Sequence, residues 1–464
     1  MNRFSLLIFG LLCFNIVQAQ STDSAKDSAF IAQIFRQSLT HSDAYPWLRG
    51  LCKDVGHRIS GSAAAAKAVT HMKAIMDTMK LDRVELQPCI VPAWVRGDKE
   101  VVQILDRRGK VSRQCRALSL GGTIATSANG INAEVIEVDG LATLDKMDSN
   151  AVKGKIVFFN RHMDAGLIYT MNAYGGCVDQ RGQGPAHSSV LGAAAVIVRS
   201  MNPEIDTFAH TGNTNFREGI NRLPALAIST EDADYLSAQM KEGKVRIFCQ
   251  SSANIQPDVL SYNVIGEIKG SEKPEEIILI GGHLDSWDVG EGAHDDGAGC
   301  VHSMAVLQVL KALNYRPKRT IRCVLFMNEE NGLRGGLAYA DSSKARGEQP
   351  LVAIESDRGG FTPRGFTIEG GEESQAKYKL QFDRIRSELE NYDLKIKSGG
   401  GGSDIGPLKS QGAMLIGFEP DNQRYFDFHH TKADVFEMVD KRELDTGTAS
   451  IAALVYLLDK YGLK

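Results

Sequence analysis

The sequence has 464 residues, of which 43% are hydrophobic and 24% are charged, and its formal net charge at pH 7 is −4. This length is sufficient for two or three domains, each with a hydrophobic core of its own. The small negative charge gives no reason to expect a nucleic acid or an acidic membrane surface as a partner. We therefore exclude both from the expected partners.

The first residues have the composition of a secretory signal peptide. Arg3 precedes an apolar run from Phe4 to Val17, and the small residue Ala19 follows that run. The run is shorter than the roughly 20 apolar residues that span a bilayer, which argues against a membrane anchor. We predict cleavage after Ala19 and export to the periplasm or the extracellular space, with no membrane attachment after cleavage.

Seven cysteines follow Ala19, and none of them forms a Cys-x-x-Cys pair. Export permits disulfides, but the odd number leaves at least one thiol unpaired and the spacing does not define the pairing. Cys300 and Cys323 lie in apolar segments, so we predict that they are buried thiols.

Three stretches differ in their patterns along the chain. Residues up to about Lys80 have helical periodicity, and the segment RVELQPCIVPAWVRGDKEVVQILD then predicts strands. Residues 126–257 contain short apolar strands separated by Gly, Asn and Ser turns, which predicts a small inserted domain. From Leu260, strands alternate with helices, which predicts a sheet with helices on both faces. We expect an α/β fold in which residues 20–125 and 258–464 form one domain around the insert 126–257.

Imidazole and carboxylate side chains recur where the predicted strands end. They are His283, Asp285, Asp295, Glu329, Glu330, Asp357, His429 and His430. Ligand sites in such sheets lie at the carboxyl ends of the strands. Each residue alone has an ordinary explanation, since adjacent glutamates are often the solvated start of a helix. Chance is a poor explanation for all of them at one edge.

Several catalytic classes are excluded because their sequence motifs are absent. The chain has no His-Glu-x-x-His, no Gly-x-Ser-x-Gly elbow, no phosphate-binding glycine loop and no dinucleotide-binding string. The remaining arrangement fits two hydrolytic metal ions about 3.5 to 4 Å apart that share one carboxylate. Mixed histidine and carboxylate ligands favour Zn²⁺ over Mg²⁺ or Ca²⁺, which prefer oxygen alone.

Five separated strings resemble the co-catalytic zinc exopeptidases, a family of bacterial leucyl aminopeptidases, glutamate carboxypeptidases and carboxypeptidase Q. They are GGHLDSWDVGEGAHDDGAG, NEENGLRGG, ESDRGGFTPRGF, GGGSDIGPL and HHTKAD, and they are especially similar to the carboxypeptidase Q branch. The insert resembles the protease-associated domain of that branch in KGKIVFF and AAAVIVRS. The resemblance implies the mixed-sheet fold of that family. It also implies an insert that walls the cleft or contacts a second chain in a homodimer.

The resemblance implies two Zn²⁺ ions per chain and one bridging carboxylate. The implied ligands are His283 and Asp357 for one ion, Glu330 and His430 for the other, and Asp295 as the bridge. His430 is preferred to His429 because it directly precedes Thr431. Asp295 is preferred to Asp296 because the family has Asp, then Asp or Asn, then two small residues and Gly.

The resemblance assigns the catalytic steps to two further carboxylates. Zinc lowers the pKa of bound water from 15.7 toward about 7. Glu329 matches the general base. It would take a proton from the water that bridges the two metal ions and deliver that proton to the leaving amine. Asp285 matches the carboxylate that orients His283 through its second ring nitrogen. Glu329→Gln is therefore expected to keep zinc and lose turnover.

The chain departs from its aminopeptidase relatives beside Ser403 and Asp404. Those relatives have a tyrosine just before this Ser-Asp pair, where it helps to hold the oxyanion, whereas this chain has SGGGG. Tyr425 or His429 would then be the substitute donor. Arg358 either forms a structural ion pair or binds a substrate carboxylate. These five residues are the candidate substrate contacts.

We expect an exported zinc exopeptidase that hydrolyses short peptides or dipeptides as an aminopeptidase or dipeptidase. A carboxypeptidase of the same family is the alternative, because the sequence does not define the walls of the substrate pocket. A metal-free receptor on the same scaffold is opposed by the intact ligands and base. A cyclising enzyme that acts on N-terminal glutamine is opposed by the insert.

Overall fold

The computed structural model describes residues 24–370 and 378–463, which form two eight-stranded sheets with helices packed against them. The predicted signal peptide and the cleavage site at Ala19 lie outside the described residues. Among the residues described, no helix is both long enough and apolar enough to cross a membrane. The seven described cysteines are all buried and none is in a disulfide, as predicted for Cys300 and Cys323.

The first sheet is mixed and lies at the centre of the main domain. Its strands, numbered along the chain and given in spatial order, are β1 (Arg83–Val95), β10 (Asn254–Ile268), β12 (Arg319–Phe326), β11 (Lys273–His283), β13 (Gln349–Glu355), β16 (Met414–Pro420), β14 (Pro363–Ile368) and β15 (Lys395–Ser398). The four strands β12, β11, β13 and β16 run parallel. Their carboxyl ends therefore lie at one edge of the sheet.

The second sheet belongs to the insert and is also mixed. Its strands in spatial order are β3 (Val111–Gln114), β2 (Glu100–Leu105), β9 (Arg246–Ser251), β5 (Ile131–Val138), β6 (Ile156–Phe159), β7 (Ala195–Arg199), β8 (Ala225–Ile228) and β4 (Ala117–Ser119). Strands β5 to β8 pair in parallel, and the outer strands pair antiparallel.

Helices surround both sheets. The described α-helices of the main domain are 24–41, Ala44–Arg49, Ala63–Thr78, Ala298–Ala312, Arg334–Ala345, Lys379–Glu390, Tyr425–Phe428 and Lys441–Tyr461. Its shorter turns are the π-helical Gly50–Val55 and Ala293–Gly297 and the 3₁₀-helical Gly406–Gln411, Asn422–Arg424 and Phe436–Met438. The insert has Leu141–Leu144, Ser149–Val152, Thr170–Gly175, Asp179–Gly182, Gly184–Val190 and Thr230–Lys241.

Strand β11 is buried on both faces of the main sheet. Ile278 and Ile280 pack into a core with the long helices Ala298–Ala312 and Lys441–Tyr461. Ile277 and Leu279 point to the opposite face and pack against Tyr339 of the helix Arg334–Ala345. Successive side chains of a strand alternate between faces, so an unbroken apolar run indicates helices on both sides. The predicted α/β fold is confirmed.

The insert begins earlier than the predicted boundary at Thr126. The chain leaves the main sheet at Val95 and returns to it at Asn254, since these two residues pair in β1 and β10. The predicted main domain included residues 100–119, but these residues form strands β2, β3 and β4 of the second sheet. The alternating pattern is the same on both sides of the turn at Gly97, and periodicity does not indicate which sheet a strand joins. Residues 96–253 are called the insert below.

One hydrophobic core is shared by the insert and the main domain. Val157 and Phe159 of β6 pack in the same cluster as Phe361, Phe426 and Phe428 of the main domain. The last two lie in the helix Tyr425–Phe428, directly before the two adjacent histidines. The shared core therefore holds one face of the insert against the edge where the predicted ligands lie. The assignment of the insert as a protease-associated domain stays a prediction.

Candidate active site

The first cluster of predicted ligands forms where β11 ends. His283 is the last residue of β11, and its Nε2 lies 3.2 Å from Oδ1 of Asp295 and 3.5 Å from Oδ1 of Asp357. Asp295 lies in the turn Ala293–Gly297 before the helix Ala298–Ala312, and Asp357 follows β13 by two residues. Three different elements thus bring one imidazole and two carboxylates together.

The second cluster uses the other oxygen of the same aspartate. Nε2 of His430 lies 3.3 Å from Oδ2 of Asp295 and 3.2 Å from Oε2 of Glu330. His430 has a backbone φ of 61°, a left-handed conformation that few residues other than glycine adopt and that often marks a functional site. Asp295 therefore presents one oxygen to each of two sets of ligand atoms.

The clusters have the properties of cation sites. Oδ2 of Asp295 and Oε1 of Glu330 are buried and have no hydrogen-bond partner among the described residues. A buried carboxylate oxygen without a partner is costly, so these oxygens are suited to bind a cation. Two ligands about 2.0 to 2.1 Å from a tetrahedral ion lie roughly 3.3 to 3.4 Å apart. The observed spacings of 3.2 to 3.5 Å match that value.

Backbone carbonyls orient both imidazoles. Nδ1 of His283 lies 3.0 Å from the carbonyl oxygen of Asp285, and Nδ1 of His430 lies 3.1 Å from that of Thr211. A carbonyl oxygen only accepts hydrogen bonds, so each Nδ1 carries the proton and each Nε2 keeps its lone pair toward the cluster. Thr211 belongs to the insert, which therefore fixes one of the predicted ligands.

Asp285 acts differently from the prediction. Its carboxylate oxygen lies 3.9 Å from Nδ1 of His283, too far for a hydrogen bond. That oxygen instead accepts the backbone N–H groups of Asn328 at 2.7 Å and Glu329 at 3.1 Å. The backbone carbonyl of Asp285 orients His283, whereas its side chain holds the loop that carries the two glutamates.

The neighbouring Asp296 and His429 are less suitable as ligands than the predicted pair. Both oxygens of Asp296 accept backbone hydrogen bonds at 3.0 Å, one from His283 and one from Gly299 in the first turn of the next helix. Nε2 of His429 is 3.9 Å from Oδ2 of Asp295, and its ring stacks on that of His430 with centroids 3.6 Å apart. Asp296 and His429 still lie close enough to the clusters to contribute a ligand atom, so the preference for Asp295 and His430 stays a prediction.

Charges in the clusters shift the pKa of both imidazoles upward. Burial disfavours the charged form of His283, but Asp357 and Asp295 outweigh it and hold the pKa of His283 well above the ordinary value. Burial also opposes charge on His430, but Glu330 and Asp295 raise its pKa to about 9. Each imidazole therefore lies in a strongly negative field, the field that a metal dication would neutralise.

Glu329 and Glu330 diverge where β12 ends. Glu330 points into the second cluster, whereas Glu329 lies on the wall of the cleft in front of it. Removal from water is the largest cause that raises the pKa of Glu329 to about 7, and Asp357 and Asp295 add to it while His283 opposes it. A carboxylate with a pKa near neutrality is suited to accept and return a proton.

The cleft above the clusters has a volume of about 420 Å³, within the usual range for small-molecule sites. Its lining residues are Met171, Tyr174, Arg181, Asn213, Asn215, Asp295, Glu329, Glu330, Gly332, Leu333, Asp357, Ser403, Tyr425, His429 and His430. A cavity of about 550 Å³ elsewhere on the insert contains none of the predicted ligands. The smaller cleft is therefore the candidate active site.

Three of the five candidate substrate contacts line the cleft, and two do not. Ser403, Tyr425 and His429 line it. Arg358 instead donates to the carboxylate of Glu419, which is the ion-pair alternative of the prediction, and to the carbonyl of Gly400 at 3.4 Å. Asp404 is only 1% exposed, and burial followed by the charges of Glu355 and Glu329 raises its pKa well above the ordinary value.

The insert supplies cleft residues that the sequence did not reveal. Tyr174 and Arg181 lie in the segment NAYGGCVDQRG, and Thr211 lies in a loop before β8. None of these residues belongs to a periodic pattern or to a known sequence motif. The resemblance indicated that the insert lies beside the cleft, but it did not indicate which residues of the insert line it.

Known proteins resemble this chain in sequence and in fold. Residues 263–455 match the model of peptidase family M28. Human carboxypeptidase Q is 34% identical over 417 residues, which cover 89% of this chain and 85% of the human protein. The crystal structure of a peptidase M28 precursor from Shewanella amazonensis has a TM-score of 0.88 and 31% identity, covering 95% of this chain and 99% of that one.

A zinc aminopeptidase from Bacillus subtilis shares the fold more distantly. Its structure has a TM-score of 0.64 and 23% identity and covers 89% of this chain and 94% of that one. The fold, the clustered ligand side chains and the extent of these matches define a metallopeptidase. The chain belongs to peptidase family M28.

Proposed function

We propose that the chain is an exported exopeptidase that hydrolyses short peptides with two zinc ions held by the two clusters. The division of the Asp295 oxygens between His283 and His430 carries this proposal, because one carboxylate then serves two ions. Mixed imidazole and carboxylate ligands suit zinc. The Bacillus subtilis relative is named a zinc aminopeptidase, which supports the same metal here.

Zinc at these ligands would supply a Lewis acid and lower the pKa of water. The residues of the chain then perform the proton transfers. Glu329 takes a proton from the attacking water and delivers it to the leaving amine, for which its pKa of about 7 is suited. The Asp285 carboxylate fixes the backbone of Glu329 through its hydrogen bond at 3.1 Å. Asp285 thus keeps the base in position and does not touch the substrate.

The size of the cleft favours short substrates. The insert bounds the cleft on one side, and its volume of about 420 Å³ suits a small ligand rather than a long chain. Three of the carboxylates that line it, Asp295, Glu330 and Asp357, are the proposed zinc ligands, and the two dications would offset their charge. The Bacillus subtilis relative is named an aminopeptidase, and we propose an aminopeptidase or dipeptidase, with a carboxypeptidase like the human relative as the alternative.

One experiment tests the metal and the substrate class together. Zinc content is measured in the purified chain, and cleavage of dipeptides and tripeptides with each terminus free or blocked is followed before and after chelation. We expect about two zinc ions per chain and loss of cleavage when the amine is blocked. Loss on carboxyl blocking alone would instead identify a carboxypeptidase. Absence of any chelator-sensitive cleavage would overturn the proposal.

A further inference from the structure

The loop directly before Ser403 offers no side-chain donor to the cleft, since residues 399–402 are all glycine. Hydrolysis of a peptide bond places negative charge on the carbonyl oxygen, and a fixed donor at that oxygen is a large contribution to catalysis. His429 is one of the two predicted substitute donors, and its ring stacks on that of His430 with centroids 3.6 Å apart. The structure offers another hydroxyl from the insert.

Tyr174 of the helix Thr170–Gly175 lines the same cleft as Glu329 and Asp295. Its ring stacks on Phe426 with centroids 5.1 Å apart and meets the edge of His429 at 5.3 Å. The shared core thus fixes the ring at the metal ligands. The hydroxyl oxygen accepts a hydrogen bond from Nη2 of Arg181. Its proton has no acceptor among the described residues, so it is free to be donated into the cleft.

Arg181 is a buried cation held without a counter-charge. The residue is 6% exposed, Nη1 donates to the carbonyl of Thr211 at 3.2 Å, and the same nitrogen lies 3.5 Å from Nδ1 of His430. Within the part of the chain that is described, no carboxylate lies at ion-pair distance from Arg181, and its Nε has no partner. Buried charges are normally paired, so this guanidinium indicates a negative charge that arises nearby.

We propose that the Tyr174 hydroxyl donates a hydrogen bond to the carbonyl oxygen of the scissile bond, and that Arg181 is the positioning residue for Tyr174. The inference rests on the proposed function, whose reaction it deepens. As the water oxygen bonds to the carbonyl carbon, the C=O electron pair moves to the oxygen that Tyr174 contacts. The pair returns when the C–N bond breaks, and the amine leaves with the proton from Glu329. Tyr174 transfers no proton.

The test compares tyrosine-to-phenylalanine variants that remove a single hydroxyl each. We expect Tyr174→Phe to lower kcat by about 100- to 1,000-fold with little change in KM, since the lost bond forms with the transition state. Zinc content and melting temperature should stay at the wild-type values. Tyr235→Phe, at a partly buried tyrosine of the insert whose ring lies under Arg113, is the matched control. Tyr425→Phe tests the rival donor in the same cleft.

A binding measurement adds a readout independent of turnover. A phosphinic dipeptide carries a charged oxygen in place of the carbonyl, whereas a free product amino acid does not. Measured by calorimetry, the Tyr174→Phe variant should bind the phosphinic dipeptide about 100-fold or more weakly than wild type does. Its affinity for the product amino acid should be unchanged. Equal weakening of both ligands would show a merely structural role and would overturn the proposal.

The role of Arg181 is tested by additivity. Arg181→Met should lower kcat about as much as Tyr174→Phe does, and Arg181→Lys should keep part of the activity that Arg181→Met loses. The double variant Tyr174→Phe, Arg181→Met should have a kcat only slightly below that of Tyr174→Phe alone. Additive losses would overturn the positioning role. An active wild type whose Tyr174→Phe variant keeps its kcat, or whose Tyr425→Phe variant carries the loss, would overturn the inference alone. A wild type without chelator-sensitive cleavage would instead overturn the proposed function.

Discussion

Thr211 and His430 are joined by two hydrogen bonds across the boundary between the insert and the main domain. The Thr211 carbonyl accepts from Nδ1 of His430 at 3.1 Å, and the Thr211 N–H donates to the His430 carbonyl at 3.1 Å. Partners of this kind fix the ring of a metal ligand, and losing one typically costs about 10- to 100-fold in metal affinity or activity. The insert therefore supports the metal site directly.

Gly212 provides a way to test this link without touching a ligand. An alanine Cβ at Gly212 would collide with the guanidinium of Arg181, which donates to the Thr211 carbonyl, and the positive φ of Gly212 would strain the backbone next to Thr211. We expect Gly212→Ala to lower zinc affinity about 10-fold or more, measured by titration with a chelator. Gly219→Ala is the matched control, because Gly219 also has a positive φ but no atom lies within 4 Å of its added Cβ. Equal effects of both variants would contradict the link.

Substitution of Glu329 and Glu330 one at a time should distinguish an effect on catalysis from an effect on metal binding. Glu329→Gln removes the base and leaves both clusters intact, so we expect normal zinc content and a loss of about 100- to 10,000-fold in kcat. Glu330→Gln removes a charged ligand 3.2 Å from Nε2 of His430 and should lose about half of the bound zinc. Metal analysis and steady-state kinetics check both. A zinc-loaded Glu329→Gln enzyme with wild-type kcat would refute the assignment of the base.

Arg358 should contribute to stability and not to substrate affinity. Its guanidinium is paired with Glu419, and both side chains are mostly buried. Arg358→Met should lower the free energy of unfolding by about 1 to 3 kcal/mol, between the values for exposed and fully buried pairs, while KM stays the same. Glu419→Gln should have a similar effect, and the double variant should show coupling in a thermodynamic cycle. A large increase in KM for Arg358→Met alone would show that it binds substrate.

His302 should make the fold sensitive to mild acid. Its ring is buried, with Nδ1 at 3.1 Å from the Ser356 hydroxyl and Nε2 at 3.1 Å from the Leu444 carbonyl. Burial lowers the pKa of His302 from 6.5 to about 4. The unfolded chain therefore binds more protons between these values, and the free energy of unfolding falls as pH falls through this window, by on the order of 3 kcal/mol.

Urea unfolding at pH 7 and pH 5 checks this dependence. His302→Gln should be less stable than wild type at pH 7 and should lose less stability on acidification. His41→Gln, at an exposed histidine, should keep the wild-type pH dependence. The expectation fails if wild type and His302→Gln lose the same stability between the two pH values.

The main sheet and its polar edge could be predicted because both follow from local patterns. Strands such as β11 are unbroken apolar runs, and His283 stands where that run ends. Parallel strands bring their carboxyl ends together, so polar residues after separate strands must meet. The choice of Asp295 over Asp296 came from the resemblance, and the structure adds the reason that the oxygens of Asp296 already accept backbone hydrogen bonds.

The contribution of the insert could not be predicted because it depends on how two domains pack. Tyr174 lies 256 positions before His430 in the sequence, and no local pattern marks it as different from other tyrosines. Its role follows from the shared core that contains Phe426 and Phe428. The role of Asp285 was predicted incorrectly because the sequence does not show which oxygen of a residue accepts a hydrogen bond. Its backbone carbonyl, and not its carboxylate, contacts Nδ1 of His283.

The core shared by β6 and the helix Tyr425–Phe428 makes the proposed activity conditional on complete folding. A chain in which only the main domain has formed lacks the carbonyl that orients His430 and the hydroxyl that faces the cleft. Such a chain would bind its metal poorly and hydrolyse little. We therefore expect peptide cleavage only from chains in which both domains have folded.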